Sequence, residues 1–232
     1  MSEQKPIALI TGGSRGIGRA VATELAGTHD LIIGGRREET VAAAVNDFPG
    51  ARGFVADLTD PQATSAALRA AGIEELDVLI HSAGVFGGDR ICQTPRAEWE
   101  RVFSINVFAV VDLTRQLLPA LRQRRGQVIT INSGSGYRSG AGGGVYSGSK
   151  FALRAFSDAL REEERGCLRV TSIHPGRVDT DMQVEIQRAK NTGEYDGSKY
   201  CSAKAVAQTV ALAVHLPPDS MIEELSVRPV NG

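Results

Sequence analysis

Short runs dense in Val, Ile and Leu alternate with longer amphipathic stretches along the whole chain. Seven of these runs are predicted strands, at 6–11, 30–35, 51–57, 76–84, 126–133, 168–176 and 222–229. The stretches between them are predicted helices, at 19–27, 37–48, 60–72, 96–111, 113–125, 145–164 and 203–216. This alternation favours a parallel sheet covered on both faces. The expected fold is therefore α/β, a doubly wound Rossmann sheet of about seven strands.

Length and composition narrow the class of protein. The 232 residues are 42% hydrophobic and 23% charged, which suits one sizeable core. We expect a single domain over 1–232, with a small substrate lid at about 181–202. A net charge of −1 gives no sign of a nucleic-acid or membrane partner. The start of the chain lacks the pattern of a signal peptide, so a cytoplasmic protein is expected.

The three cysteines, Cys92, Cys167 and Cys201, are odd in number and widely spaced. This spacing is typical of neither a disulfide framework nor a metal site. We therefore expect no metal cofactor.

A glycine-rich turn, LITGGSRGIG at 9–18, includes the end of the first predicted strand. In a doubly wound sheet, ligands bind beyond the carboxyl ends of the strands, and the N–H groups that open a helix suit a phosphate. Gly12, Gly16 and Gly18 would let the backbone approach such a ligand closely. The spacing is not G-x-G-x-x-G, and the P-loop match that starts at Gly13 lacks its Lys and its Ser or Thr. A turn used for packing alone remains the alternative.

Six motifs stand in order along the chain: T-G-x-x-x-G-x-G at 11–18, ADL at 56–58, SAG at 82–84, Asn106 with Ser133, Tyr146 with Lys150, and PGRVDT at 175–180. Together they resemble the short-chain dehydrogenase/reductase family. The resemblance implies a nicotinamide dinucleotide cofactor and a small carbonyl or alcohol substrate. It also implies a homodimer or homotetramer, assembled through helices around 96–125 and 145–164.

The predicted cofactor contacts lie on the matching positions and beside them. They are Gly12, Ser14, Arg15, Gly16, Ile17, Gly18, Arg36, Arg37, Asp57, Leu58, Ser82, Ala83, Gly84, Tyr146, Lys150, Pro175, Gly176, Val178 and Thr180. By resemblance, Asp57 contacts adenine and 175–180 lies beside the nicotinamide. Ser82 departs from the family, which usually has Asn there, so its strand-tying hydrogen bonds are expected to be lost or carried by water.

The end of the second strand favours NADP(H) over NAD(H). An NAD site usually has an acid there to bind the ribose hydroxyls, but this chain has Gly35 followed by Arg36 and Arg37. Two guanidiniums suit a 2′-phosphate, because each offers fixed charge and forked donors. We predict that Arg15 and Arg36 clamp that phosphate. The alternative is that Arg36 and Arg37 are solvated charges paired with neighbouring glutamates.

Tyr146 is the predicted acid/base. A free tyrosine has a pKa near ~10, and Lys150, four residues on and on the same helix face, would favour the phenolate. By resemblance, Lys150 also binds the nicotinamide ribose, Ser133 hydrogen-bonds the carbonyl, and Asn106 holds a water that links Lys150 to solvent. Asn106 bridging backbone inside a helix is the alternative.

Ser135 and Tyr137 compete with Ser133 and Tyr146 for these roles. Ser133 is preferred because it ends the strand and keeps the family's separation from Tyr146, and Tyr137 lacks a paired lysine. His81 and His174 are interpreted as structural histidines.

The predicted walls of the substrate pocket are 85–95, 134–145 and 181–202. None of them identifies the substrate.

The leading hypothesis is an NADP(H)-dependent oxidoreductase that interconverts a carbonyl and an alcohol. A 3-oxoacyl thioester reductase is a narrower alternative, and it would need a basic patch at the pocket entrance, for which Arg122, Arg124 and Arg125 are candidates. A dinucleotide-sensing protein without turnover is an alternative of another class. The set Ser133, Tyr146 and Lys150 argues against it, since a sensor needs no proton donor.

Overall fold

The computed structural model describes residues 5–190 and 193–230. Over these residues the chain forms strands at the seven predicted places and two further short strands, at 178–179 and 201–202, that the sequence pattern does not predict. The strands are β1 (Ile7–Thr11), β2 (Asp30–Gly35), β3 (Arg52–Val55), β4 (Val78–His81), β5 (Gln127–Ile131), β6 (Arg169–Pro175), β7 (Val178–Asp179), β8 (Cys201–Ser202) and β9 (Glu224–Val227). Seven form a parallel sheet in the order β3-β2-β1-β4-β5-β6-β9, and β7 pairs with β8. The prediction of a doubly wound sheet of about seven strands is confirmed.

Helices connect the strands and cover both faces of the sheet. They are α1 (Gly16–Leu25), α2 (Glu38–Asn46), α3 (Pro61–Ala71), α4 (Arg96–Phe103), α5 (Ala109–Arg124), α6 (Gly144–Glu163), α7 (Asp181–Lys190) and α8 (Ala203–Val214). Neighbouring strand residues face opposite cores: Leu9 packs with residues of α5 and α6, and Ile10 packs with residues of α1 and α8. The two cores explain why the strands are apolar on both sides.

The helix α3 shows how local signals set element bounds. Asp60 is its N-cap, with Oδ1 accepting from the N–H groups of Gln62 at 2.9 Å and Ala63 at 3.0 Å. Pro61 occupies the first turn, and Gly72 ends the helix in the left-handed conformation at φ 57. These three residues bound the helix at the ends of the predicted range 60–72.

The predicted break between helices at 111–113 is wrong. A single helical segment runs from Arg96 to Arg124, with a π-helical turn at Ser104–Phe108 between α4 and α5. Val110, Leu113 and Leu117 are buried at helical spacing, so the apolar face continues through the supposed break.

This segment is also the one helix, among the described residues, that is long and apolar enough to cross a membrane. Its most apolar window has a mean hydropathy of 1.2, and 44% of that window is buried. This is weak evidence for a membrane span, because the core helix of a soluble protein passes the same test.

Candidate active site

The glycine-rich turn packs tightly against the end of β4. A side chain at Gly12, where φ is +63, would lie 3.0 Å from the Cα atom of Ala83. A side chain at Gly18 would come within 2.3 Å of the carbonyl oxygen of Gly12. The helix α1 that opens here has no side-chain N-cap, in contrast to α3. Its first N–H groups therefore suit an anionic ligand, as a dinucleotide pyrophosphate would be.

The strands β1 and β4 are tied at this point by Thr11. Its Oγ1 accepts hydrogen bonds from the N–H groups of Ser82 and Ala83, both at 3.1 Å, and donates to the carbonyl of Ile80 at 3.3 Å. The expected loss of strand-tying bonds at Ser82 is therefore compensated by a side chain from the neighbouring strand. The backbone of Ala83 keeps its place against the glycine turn.

The end of β2 has no room for the acid of an NAD-type site. A side chain at Gly35 would come within 2.6 Å of Cγ2 of Val41. Arg36 follows and is exposed, with no hydrogen bond or ion pair among the described residues. Arg36 and Arg37 are both exposed, as the alternative held, but neither pairs with a neighbouring glutamate in the described part of the chain.

Two other predicted contacts of the adenosine half are also exposed. Arg15 makes one ion pair at 3.6 Å with Asp181, and both side chains are largely exposed, so the pair contributes little. Asp57 accepts two hydrogen bonds from Thr59, which together with Arg36 lower the pKa of its carboxyl. Both charged groups remain accessible to a ligand.

Ser133 and Tyr146 meet at the carboxyl end of β5. Ser133 follows the strand, and Tyr146 lies in the first turn of α6. Burial raises the pKa of the Tyr146 phenol, and a side-chain hydrogen bond with Ser133 acts in the opposite direction. The ring of Phe86 packs against that of Tyr146, with centroids 5.2 Å apart. The phenol is thus held protonated at neutral pH beside a second hydroxyl.

Lys150 lies behind this pair and is buried. Its Nζ donates to the carbonyl of Ile131 at 3.1 Å and stands 5.7 Å from the Tyr146 ring centroid. Burial lowers the pKa of its ammonium to about 8. A lysine beside a phenol lowers the pKa of that phenol when charge alone acts, but here burial determines the direction of the shift for both groups.

Asn106 lies in the π-helical turn, 1% exposed. Its Oδ1 accepts from the N–H of Val85 at 2.9 Å, and its Nδ2 donates to the Val85 carbonyl and to Oγ of Ser149, both at 3.0 Å. A side chain at Gly84 would lie 3.2 Å from Oδ1 and 3.9 Å from Nζ of Lys150. Asn106 therefore bridges backbone, as the alternative held, and does so beside Lys150.

The two competing residues take supporting positions. Ser135 donates its N–H to Oγ of Ser133 at 3.1 Å. Tyr137 donates its hydroxyl to Glu224 at 2.6 Å, and burial and this carboxylate raise its pKa to about 12. The phenol of Tyr137 is thus engaged away from the reacting hydroxyls.

His174 is buried behind Ser133 rather than in a remote part of the core. Its Nδ1 lies 3.2 Å from the Ser133 carbonyl, and its ring packs on Tyr137 at 4.4 Å between centroids. Burial lowers its pKa, so the neutral ring serves as a support. His81, also buried, bonds Thr114 at 2.8 Å, and burial lowers its pKa to about 3.

A cavity of about 1100 Å³ opens in front of these hydroxyls. Residues of all three predicted walls line it: Phe86 from the first, Gly134, Ser135 and Arg138 from the second, and Met182, Gln183, Ile186, Gln187, Glu194, Asp196, Lys199 and Tyr200 from the third. Part of the predicted lid, residues 191–192, lies outside the described residues.

The segment 175–180 forms another side of this cavity. Pro175, Gly176, Val178 and Thr180 all line it, together with Ile17 of the glycine turn. A side chain at Gly16 would lie 3.7 Å from Cγ2 of Thr180. The fold therefore brings the glycine turn and the segment 175–180 together, whereas the predicted adenosine contacts Arg36 and Asp57 lie outside this cavity lining.

Known proteins with this arrangement are numerous. A family model described as short chain dehydrogenase matches residues 6–191. Serine 3-dehydrogenase of Rhizobium radiobacter is 33% identical, over 96% of this chain and 93% of its own length. This chain belongs to the short-chain dehydrogenases.

Two further proteins similar to this short-chain dehydrogenase bear on its chemistry. The 3-oxoacyl-[acyl-carrier-protein] reductase of Escherichia coli (strain K12) is 32% identical, over 91% of this chain and 90% of its own. The closed form of serine dehydrogenase complexed with NADP+ matches with a TM-score of 0.88 and 26% identity, covering 97% of this chain and 96% of that chain. The short-chain dehydrogenase is thus an oxidoreductase by family, and its individual residue roles remain predictions.

Several residues that line the cavity of this short-chain dehydrogenase are not predicted by the sequence, Asn132 and Pro229 among them. Phe86 was placed in a wall segment but not against the Tyr146 ring. Arg228, just after β9, lines the cavity but lies outside every predicted wall and contact. Its position was the available signal, because the carboxyl ends of parallel strands meet at one edge of the sheet.

Among the described residues, no group of three or more His, Cys, Asp or Glu side chains could hold a metal ion. The three cysteines are free, with Cys92 and Cys167 exposed and Cys201 buried.

Proposed function

We propose that this short-chain dehydrogenase uses NADP(H) to interconvert a carbonyl and an alcohol, with Tyr146 as acid/base. The observation that carries the proposal is that Ser133 and Tyr146 both line the wall of one cavity, with Lys150 buried behind them. A cytoplasmic location and the lid at about 181–202 stay part of the same prediction.

The residues of the chain would hold the substrate and move its proton. Bound NADPH supplies the hydride. Ser133 donates a hydrogen bond to the substrate carbonyl, and Tyr146 gives its phenolic proton to the oxygen as negative charge develops there. Burial keeps that proton on Tyr146 at neutral pH, so it is available for reduction. In the direction of oxidation, Tyr146 takes the proton back.

Lys150 would stabilise the phenolate that reduction leaves behind. Its pKa of about 8 keeps the ammonium charged in most molecules at neutral pH. The carbonyl of Ile131 holds Nζ close to the Tyr146 ring, where the positive charge favours the deprotonated phenol. Asn106, fixed by its backbone bonds, would position a water that restores the proton.

The preference for NADP(H) rests on the end of β2. Close packing at Gly35 leaves no space for an acid, and the exposed Arg36 makes no hydrogen bond or ion pair among the described residues, although its charge acts on Asp57. Arg15 at the N-cap of α1 offers a second guanidinium, bound weakly to Asp181. The similar serine dehydrogenase was solved with NADP+, which agrees with this preference.

A 3-oxoacyl thioester reductase is the second candidate, favoured by the similarity to the Escherichia coli enzyme. The basic patch suggested for it does not adjoin the cavity. Arg122 pairs with Glu164, and Arg124 pairs with Asp77 at 3.0 Å, at the amino ends of the strands. This edge is opposite to Ser133, so the geometry gives the thioester reading no support of its own.

The test is NADPH oxidation, followed by absorbance, with ketones, aldehydes, quinones, 3-oxo acids and 3-oxoacyl thioesters. Tyr146→Phe is expected to lower turnover by about 10²–10⁴-fold, because the proton donor is lost, while NADPH binding is kept. Thr209→Val is the control, since it also removes a side-chain hydroxyl but lies on α8, outside the cavity lining. Turnover that survives Tyr146→Phe would contradict the assignment. Tight NADPH binding with no turnover of any compound would favour the sensor.

A further inference from the structure

Arg228 stands beside the reacting hydroxyls because of the sheet topology. The strand β9 pairs with β6 in parallel, with Val227 opposite Pro175, and the N–H of Gly176 donates to the Val227 carbonyl at 2.7 Å. Residue 228 therefore emerges at the carboxyl edge, next to the segment 175–180. Its side chain lines the cavity into which Ser133 and Tyr146 face.

The guanidinium of Arg228 fills the space above Gly134. A side chain at Gly134 would come within 2.1 Å of Nη1 and 2.8 Å of Cζ. Gly134 is the residue directly after Ser133, so the charge lies one residue from the predicted carbonyl-binding hydroxyl. The absence of a side chain at 134 is what gives Arg228 this place.

No carboxylate of the described residues pairs with Arg228. The nearby Glu224 is already engaged, by Tyr137 at 2.6 Å and by Arg154 at 3.1 Å. Arg228 itself makes no hydrogen bond or ion pair in the described part of the chain. A guanidinium that is exposed to a cavity and not neutralised there suits an anionic ligand group.

The rest of the cavity lining has the same charge bias. Apart from Arg228 it holds three cations, Arg138, Arg177 and Lys199, and two carboxylates, Glu194 and Asp196. Asp196 pairs with Lys199 at 3.5 Å, so two cations remain against Glu194.

Asn132 supports Ser133 from the same lining. It is 4% exposed, and its Oδ1 accepts from the N–H of Ser133 at 2.9 Å, which fixes the orientation of the amide. Its Nδ2 is buried, with no acceptor among the described residues, so Arg228 is the group of this pair that a ligand can reach.

We propose that Arg228 binds a carboxylate of the substrate, so that the protein acts on short oxo acids and the corresponding hydroxy acids. The inference rests on the proposed function and deepens it. Arg228, Ser133 and Tyr146 line one cavity, so a carboxylate bound by Arg228 can belong to the ligand whose carbonyl Ser133 binds. A 3-oxoacyl thioester has no free carboxylate there, so the arrangement favours the free acid over the thioester.

The first experiment compares acetoacetate with its methyl ester and with a neutral ketone, in steady-state kinetics with NADPH. Arg228→Gln is expected to raise the KM for acetoacetate by about 10–100-fold and to change the KM for the ester by less than about twofold. Arg228→Lys should raise the KM for acetoacetate less than Arg228→Gln does, because lysine keeps the positive charge but lacks the two parallel N–H donors of a guanidinium. Arg69→Gln, which removes an exposed charge from α3, is the matched control.

Gly134→Ala is a second variant that acts on the same contact. Its added methyl group would displace the guanidinium, so it should shift the KM for acetoacetate in the same direction as Arg228→Gln. Thermal unfolding of each variant confirms that the fold is kept.

A binding measurement separates this inference from the proposed function. Calorimetric titration of malonate into the protein with NADP+ should show binding that Arg228→Gln abolishes, whether or not any ketone is reduced. Equal use of acid and ester by the wild type, or malonate binding that survives Arg228→Gln, would overturn the carboxylate site. A loss of NADPH affinity as large as the loss of kcat/KM would instead make Arg228 a cofactor contact. Failure of the proposed function would appear separately, as neutral ketones that are never reduced in a Tyr146-dependent way.

Discussion

At the scale of single residues, the choice of cofactor depends on the charge just after β2. Arg36→Glu should weaken NADPH binding by about tenfold or more beyond its effect on NADH. It replaces a cation that donates hydrogen bonds to the 2′-phosphate by a carboxylate that repels this phosphate. Fluorescence titration of both cofactors measures this difference. Arg69→Glu makes the same charge change on an exposed face of α3 and should leave the ratio unchanged. Equal losses for NADPH and NADH would exclude the clamp.

A second residue-scale prediction concerns the proton on Lys150. Its pKa is about 8 in the folded protein and near 10.5 when unfolded, so between these values the unfolded chain holds more protons than the folded one. The free energy of unfolding should therefore rise with pH through this window, by up to about 3 kcal/mol relative to Lys150→Met. Denaturant unfolding of both proteins at a series of pH values measures the difference. Parallel pH profiles would show that Lys150 is not desolvated as the structure indicates.

At the scale of elements, the π-helical turn depends on contacts that are distant in sequence. Asn106→Ala removes three hydrogen bonds to Val85 and Ser149 from a buried site, and should lower the free energy of unfolding by about 2–4 kcal/mol. Ser104 lies in the same turn, is half-buried and makes no side-chain hydrogen bond within the described residues. Ser104→Ala therefore serves as the control. If both variants unfold at the same denaturant concentration, the bonds of Asn106 do not hold the turn.

The same contrast explains which elements the sequence could predict. The ends of α3 follow from Asp60, Pro61 and Gly72, whose effects are local, and they were predicted correctly. The helix break near 112 was predicted wrongly because a local reading divides one apolar face in two. The hydrogen bonds between Asn106 and Val85 join residues 21 positions apart, so no local sequence pattern predicts them.

At the scale of the whole molecule, parallel topology determines which residues can meet. Strand order and the edge that holds the site follow from general rules on crossovers, so Ser133, Tyr146 and the glycine turn were predictable as neighbours. The approach of Arg228 to Gly134 was not, because it depends on a glycine leaving space for a side chain from the last strand. The strand pattern of the sequence predicts which edge of the sheet holds the site. Which side chains lie at that edge depends on packing between residues distant in sequence.

Assembly is the remaining prediction at this scale, and exposed apolar side chains support it. Phe108 is 56% exposed and Val111 36% on the segment 96–124, and Phe151 is 43% exposed on α6. These are the two helical regions through which the family resemblance implies a homodimer or homotetramer, and an apolar face of this kind is stabilised by burial. We expect the wild type to be oligomeric in light scattering, and Phe108→Asp with Phe151→Asp to dissociate it.

The control for assembly is Leu212→Asp, because Leu212 is also 56% exposed but lies on α8, away from both regions. A charge at Leu212 should leave the oligomer intact, since only a residue inside the interface is desolvated when subunits associate. Dissociation by Leu212→Asp alone would move the interface to α8. If the wild type is monomeric and pellets with lipid vesicles, the apolar face of 96–124 would instead bind a membrane surface.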